Sequence, residues 1–464
     1  MPESIYKVFS HIIPPERLHE LGEVLDRNSV DETEDLFFRP NLVAEPISTK
    51  EVSELLELAH QHDIPVTAAG ARTGLSGGAL AVKGGLALSL RRMDKILKID
   101  EVNHQAIVQP GVITEVLQNA AAEKGLFYAV DPASRGTCTI GGNLAENSGG
   151  PRAVKYGVTK DWVLNLEVVL ADGSVIETGA NTLKNSTGYN LTGLMIGSEG
   201  TLGVITKATL KLLPLPQFQA LMFVPFETTE SACSAVSSVF RAGVMPSAME
   251  FMERDAMRLA QEFTGNFELE LKDEHVAYLL VEVDGFSAED LMPQCEKMLP
   301  VFEENGCGEI LFANSAAEQE KLWFLRRRVG EAVKAESIYK EEDTVVPRGL
   351  LPELMKAVKR IGDEYDFRSI CYGHAGDGNL HINILKDSIS DERWNSELPQ
   401  AISELFEEVV KMGGTLSGEH GIGLVQSPYM RIACSEAQLG VMKAVKKALD
   451  PKGILNPGKI FPED

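Results

Sequence analysis

The sequence predicts an α+β protein of two domains, and three observations carry that expectation. At 464 residues the chain is too long for one simple hydrophobic core. Its first 215 residues alternate helical and strand patterns, and the two prolines of LLPLPQF (212–218) mark a change of composition. Beyond them, strand patterns such as HVAYLLVEVDG mix with amphipathic helices. The expected division is 1–216, then 217–413, with 414–464 returning to the first domain.

Taken in order, the first strong element is a helix. Ser48 and Glu51 match an S-x-x-E capping box, and Val52, Leu55, Leu56 and Ala59 recur behind it at helical spacing. The apolar run IPVTAAG (64–70) reads as a strand that breaks into a glycine-rich loop. NLEVVLADGSVIET reads as a hairpin turning at Asp172-Gly173. In the second domain a helix over 320–336 carries the stripe Leu322, Leu325, Val329 and Val333. SICYGHAGDGNLHINIL (369–385) reads as two strands joined by AGDGN, and a helix around 400–412 stops at Gly413-Gly414. No fixed-period repeat or low-complexity stretch interrupts this order.

Composition narrows the function. Apolar residues at 44% and charged residues at 24% are the balance of an ordinary globular protein. A net charge of −24 argues against nucleic acid and anionic membranes, which need concentrated Lys and Arg. It serves solubility, or steering toward a basic partner. MPESIYKVFS has neither a basic nor an apolar signal region, and no apolar stretch approaches the ~18–20 residues of a membrane span. The expected location is cytoplasmic. The six scattered cysteines form no C-x-x-C pair, so neither a zinc ribbon nor a ferredoxin-type cluster is encoded.

GARTGLSGG (70–78) is the first chemical signal. Glycines let successive backbone N–H groups converge, and such a nest binds phosphate oxygens. It is neither a Walker A loop nor a G-x-G-x-x-G fingerprint. The alternative is a tight turn between two strands. A second cluster, DPASRGTCTIGGNLAENSGGPR (131–152), packs poorly as core and suits backbone approaching a flat polar ligand. GSEGTLGVIT (197–206) repeats the theme with Glu199 as its one charge. Three such segments point to an extended ligand with phosphates and rings.

This trio resembles the FAD domain of the vanillyl-alcohol oxidase/para-cresol methylhydroxylase superfamily, and the likeness covers essentially the whole chain. The resemblance implies a two-lobed FAD-binding domain plus an α+β substrate, or cap, domain. It assigns the pyrophosphate to the backbone of Ala71, Arg72, Thr73, Gly74 and Leu75 and to Ser76. Pro132, Ser134, Cys138, Thr139, Gly141, Gly142 and Asn143 line the isoalloxazine and ribityl chain; Glu199, Gly203 and Ile205 sit by the adenosine half; Asn456 approaches the flavin. Cys138 has the alternative of a plain buried hydrophobe. Segment 70–78 holds no His or Cys, so non-covalent FAD is expected.

The second signal is a histidine–carboxylate constellation. His374 and His381 flank the AGDGN turn, and TLSGEHGIG (415–423) sets Glu419 and His420 between glycines. Two imidazoles and a carboxylate make a three-ligand site for a divalent ion; the alternative is hydrogen-bonded histidines in a glycine-rich loop. Arg326 falls in the apolar stripe of its helix, where a guanidinium needs an anion: a carboxylate substrate, or a structural salt bridge. The two motifs are similar to those of the D-lactate dehydrogenase, D-2-hydroxyglutarate dehydrogenase and glycolate oxidase flavoprotein group. That resemblance implies His374, His381 and Glu419 as ligands of zinc or manganese, His420 as base, and Asn383, Arg326 and Lys340 as substrate contacts.

The implied activity is oxidation of a small D-2-hydroxy acid, D-lactate or glycolate. With no cluster of its own, the chain passes electrons to an electron-transfer flavoprotein, an iron–sulfur subunit or a quinone; a homodimer is compatible. Gly330 departs from the hydroxyl-bearing residue of the 2-hydroxyglutarate enzymes, which makes that diacid the alternative. A transferase like the alkyl-dihydroxyacetonephosphate synthases is a further reading, opposed by the missing run of histidines. A non-catalytic flavin-binding subunit is opposed by the complete metal and base set.

Overall fold

Helix Thr49–Gln61 begins at Ser48, whose hydroxyl accepts the Glu51 N–H at 3.3 Å. Only half of the predicted capping box forms. The Glu51 carboxylate takes the Arg17 guanidinium and the Ile47 N–H instead of reaching back to Ser48. A computed structural model describes residues 5–33 and 35–463 and divides the chain into two units. One comprises Met1–Gly149, Gly157–Leu215 and Glu419–Asp464; the other comprises Gly150–Tyr156 and Pro216–Gly418.

Among the described residues the first unit contains two larger sheets of different character and a short pairing of Leu126–Phe127 with Leu213–Pro214. Leu42–Ala44, Leu86–Ser89 and Val66–Ala69 run parallel, with Leu18–His19 antiparallel at the edge. The buried face of helix Thr49–Gln61 packs into this lobe's core with Leu42, Val66, Leu86 and Leu88. The tail joins the same core. Ile454 and Leu455 are buried in it, and Val66 exchanges backbone bonds with Ile454 and Asn456. The second sheet has five antiparallel strands, and within it Val163–Val169 turns into Val175–Glu177 through Asp172 and Gly173. Gly173 has φ +87°, the left-handed conformation that this turn needs and that glycine adopts without strain.

The second unit is one antiparallel sheet of seven strands with helices on both faces. Strand Ala277–Gly285 is buried along nearly its whole length, as a strand covered on both faces must be. Helices Arg254–Thr264 and Ala316–Glu336 close one face through Ala256, Met257, Leu322, Leu325 and Val329. The short segment Gly150–Tyr156 is tied to the same sheet. Lys155 and Tyr156 both bond to Asp284, the tyrosine hydroxyl at 2.8 Å. No helix among the described residues is long and apolar enough to cross a membrane.

Candidate active site

Strand alternation decides which polar side chains share a face. His381 and Asn383 lie two apart on Asn379–Leu385; opposite them stand Tyr372 and Ile370 on one neighbouring strand, and Asp343 and Glu341 on the other. Met252 pairs with Tyr372, so Glu250, two residues earlier, belongs to this face too. Helix Ala316–Glu336 covers the face with its apolar stripe, and Arg326 rides within that stripe, 6% exposed.

The anion that Arg326 requires within this unit is Glu250. Nη2 and Nε of Arg326 donate to one Glu250 oxygen at 2.6 and 2.8 Å, and the guanidinium lies 5.1 Å from the Tyr372 ring centre. Glu250 is fully buried, and His374 Nδ1 stands 2.9 Å from both of its oxygens. Burial pushes the Glu250 carboxyl up, but His374 and Arg326 outweigh it and hold it below the usual carboxylate range. The rings of His374 and His381 are 5.3 Å apart at 85°. His381 Nδ1 lies 3.3 Å from a Glu341 oxygen. Asn383 is buried, and its side-chain oxygen has no hydrogen-bond partner among the described residues.

Lys340 does not share the histidine face. It pairs with Ile384, one residue out of phase with His381 and Asn383, so it projects from the opposite face of the sheet. The residue that shares the histidine face is Glu341. Glu250 and Tyr372 were missed as well. The signal for Glu250 was a charged residue inside AMEFME, a strand buried at nearly every position, where an ion demands partners.

At Gly418 the chain leaves this face firmly anchored. Its N–H donates to the Asp343 carboxylate at 2.8 Å, and the Ser417 hydroxyl donates to the same group at 2.9 Å. The next residues, Glu419 and His420, belong to the first unit. There the Glu419 carboxylate lies against Gly149, where a Cβ would stand 2.9 Å from it. Glycine at 149 leaves room for this carboxylate beside the loop 131–152.

A buried carboxyl pair supports the same loop. Glu199 accepts the N–H groups of Ile422 and Gly423 at 2.8 and 2.7 Å, so its charge is spent within the protein. Asn456 Nδ2 donates to the carbonyls of Gly78 and Glu199. A Cβ on Gly421 would fall 2.1 Å from Glu146 and 3.2 Å from Glu199. Burial pushes Glu199 up to about 7, and burial together with Glu199 raises Glu146 well above the carboxylate range. Carboxyls raised in the folded state bind more protons there than when unfolded. Their stabilising contribution is complete below the ordinary range, near pH 4.5, and is lost as pH rises through the folded value. Glu146→Gln should therefore flatten the fall in melting temperature between pH 5 and 8.5, measured on FAD-loaded protein. Parallel curves for variant and wild type would show that the pair carries no such load.

In the FAD-type loops several of the polar side chains bond within the protein itself. Arg72 adopts φ +64°, and its guanidinium donates to Asn28 and to the Ala79 carbonyl, bracing loop 70–78 from behind. Gly74 faces open space, and the buried Ser76 hydroxyl has no partner among the described residues, as expected where an oxygen-rich ligand binds. Thr139 caps helix Ile140–Glu146 by accepting the Gly142 N–H. Cys138 and Asn143 both bond to Thr114. A Cβ would strike Pro110 at Gly141 (2.6 Å) and Val168 at Gly203 (2.5 Å), so these two glycines are demanded by the chain's own packing. Pro132 and Ser134 accept backbone N–H groups in the turn that precedes Thr139, and Ile205 lies in strand Val204–Lys211.

The fold and these loops define a FAD-linked oxidoreductase. Residues 40–179 match the FAD binding domain model, and residues 215–460 match the model for the C-terminal domain of FAD linked oxidases. The chain belongs to this family of FAD-linked oxidases. It is 38% identical over 440 residues to glycolate oxidase subunit GlcD of Bacillus subtilis (strain 168), covering 94% of this chain and 92% of that one. It is also 38% identical over 465 residues to D-lactate dehydrogenase of Anaerostipes hadrus, covering 99% and 97%. In fold it resembles p-cresol methylhydroxylase crystallised with substrate bound, with a TM-score of 0.82 at 17% identity over 99% of this chain and 97% of that one.

Proposed function

We propose that this chain oxidises a short D-2-hydroxy monocarboxylic acid, D-lactate or glycolate, to the 2-keto acid. The observation that carries the reading is the sheet face of the second unit, where Arg326, His374, His381 and Asn383 are all buried. The names of the relatives, a glycolate oxidase subunit and a D-lactate dehydrogenase, support the substrate class. In this reading 1–216 holds FAD, 217–413 carries the substrate face, and 414–464 completes the FAD domain.

FAD, held non-covalently by the backbone of 71–75, by Ser76 and by the loop 131–143, supplies hydride acceptance. A zinc or manganese ion suits the donor set His374, His381 and Glu419, and its chemistry is to acidify a bound hydroxyl. Arg326 orients the substrate carboxylate with the donors Glu250 does not use. Asn383, buried on the same face, contacts the substrate. His420 takes the hydroxyl proton. Glu341 places a negative charge on the same face, which opposes a second carboxylate and favours the short monoacid over 2-hydroxyglutarate. Electrons then leave to an electron-transfer flavoprotein, an iron–sulfur subunit or a quinone, and the protein acts in the cytoplasm.

Anaerobic mixing tests the reading. D-lactate or glycolate should bleach the flavin absorbance, while D-2-hydroxyglutarate and L-lactate should do so far more slowly. A chelator should abolish the bleaching while FAD remains bound, and removal of FAD by acid should leave no colour in the pellet. Bleaching only by the diacid would overturn the substrate class, and full rates in metal-free protein would remove the metal.

A further inference from the structure

We propose that Glu250 is a positioning residue that fixes the His374 ring with its proton on Nδ1 while orienting the Arg326 fork. This rests on the reading of His374 as a ligand and Arg326 as the substrate clamp. Arg326 is permanently cationic and donates twice to one Glu250 oxygen, at 2.6 and 2.8 Å, so Glu250 is an ionised carboxylate. A carboxylate only accepts. The contacts at 2.9 Å from His374 Nδ1 to its two oxygens are hydrogen bonds only if Nδ1 carries the proton. A neutral His374 then keeps its lone pair on Nε2, the form in which that nitrogen can serve as a metal ligand.

Burial makes the arrangement rigid. Glu250 is fully buried on the central strand Ala248–Glu253, and Arg326 and His374 are each under a tenth exposed. One anion therefore sets two groups from distant parts of the chain, a helix and a strand end. A histidine ligand whose other nitrogen donates to a carboxylate is oriented and made more basic, and loss of such a partner weakens metal binding by roughly 10–100-fold. His381 faces carboxylates as well, its Nδ1 3.3 Å from Glu341 and 3.7 Å from Asp343.

Glu250→Gln gives the sharpest test because it preserves shape and inverts one donor. Arg326 cannot accept, so it retains the glutamine oxygen and turns the amide NH2 toward His374. Nδ1 must then accept, and the proton moves to Nε2. Nitrogen-15 spectra of histidine-labelled protein, with the His374 signals assigned by a His374→Gln spectrum, read the tautomer directly. We expect Nδ1–H in the wild type and Nε2–H in Glu250→Gln, with Glu250→Asp retaining Nδ1–H. Zinc titrated into metal-free, FAD-loaded protein should bind roughly 10–100-fold more weakly in Glu250→Gln. An Nε2–H tautomer in the wild type, which needs no folded variant to detect, overturns the proposal, as does an unchanged tautomer in Glu250→Gln. Should wild-type protein bind no zinc, the metal reading fails, and the tautomer comparison still decides the role of Glu250.

Discussion

His420→Ala should lower kcat by roughly 10²–10⁴-fold with little change in KM, the span for losing a general base whose work is done in the transition state. The residue follows directly on Glu419, whose carboxylate rests against Gly149 in the flavin-type loop. It precedes Gly421, where any side chain would collide with Glu146. The loop thus has close contacts on both sides of the imidazole. Wild-type kcat should fall on the acid side as an imidazole base becomes protonated. His420→Ala should lose that limb. The measurement is a pair of steady-state pH profiles with a dye acceptor, under conditions where flavin reduction limits the rate. An acid limb that survives unchanged would assign the base to another group.

Legibility in the sequence followed local physics. The Asp172-Gly173 hairpin and the helix behind Ser48 were readable because turn chemistry and apolar period reside in neighbouring residues. Boundaries were less so. Helix Ala316–Glu336 begins before the predicted 320, since its first turn is polar and is set by a capping box from Ser315 and Glu318. Helix Asp391–Lys411 likewise runs nine residues ahead of its expected start, because its buried positions begin only at Leu398. The glycine loops announced a nucleotide-type ligand, yet they did not reveal that Gly141 and Gly203 answer to Pro110 and Val168.

Arg326 was visible as a charge inside an apolar stripe, and a salt bridge was one of its two foreseen fates. The identity of the partner was not visible, because Glu250 lies 76 residues before Arg326 and 124 before His374. Only the sheet order, which sets Ala248–Glu253 beside Arg368–Gly373, brings them together. The choice between Lys340 and Glu341 is a matter of register. Adjacent residues of a strand face opposite ways, and the motif alone does not say which residue pairs with Asn383.

Arg326→Ala should damage both binding and stability, and the two losses are separable. As a clamp, Arg326 makes a charge-assisted contact with the substrate carboxylate already in the ground state. Its removal should raise KM and cost kcat/KM at least ~2 kcal/mol, the lower range for truncating one member of a buried charged pair. As the partner of Glu250, it also balances a fully buried carboxylate. Removing one member of a buried ion pair leaves an uncompensated charge, typically a loss of about 3–5 kcal/mol in folding stability. Arg326→Lys distinguishes these effects. Lysine restores the positive charge beside Glu250 but not the planar fork that would hold Glu250 and a substrate carboxylate together. We expect the lysine variant to recover most of the denaturation midpoint while KM stays high. The check is urea unfolding of both variants beside steady-state kinetics on D-lactate and glycolate at a temperature where each remains folded. If KM is unchanged in Arg326→Ala and only stability falls, Arg326 serves Glu250 alone and the substrate carboxylate is bound elsewhere.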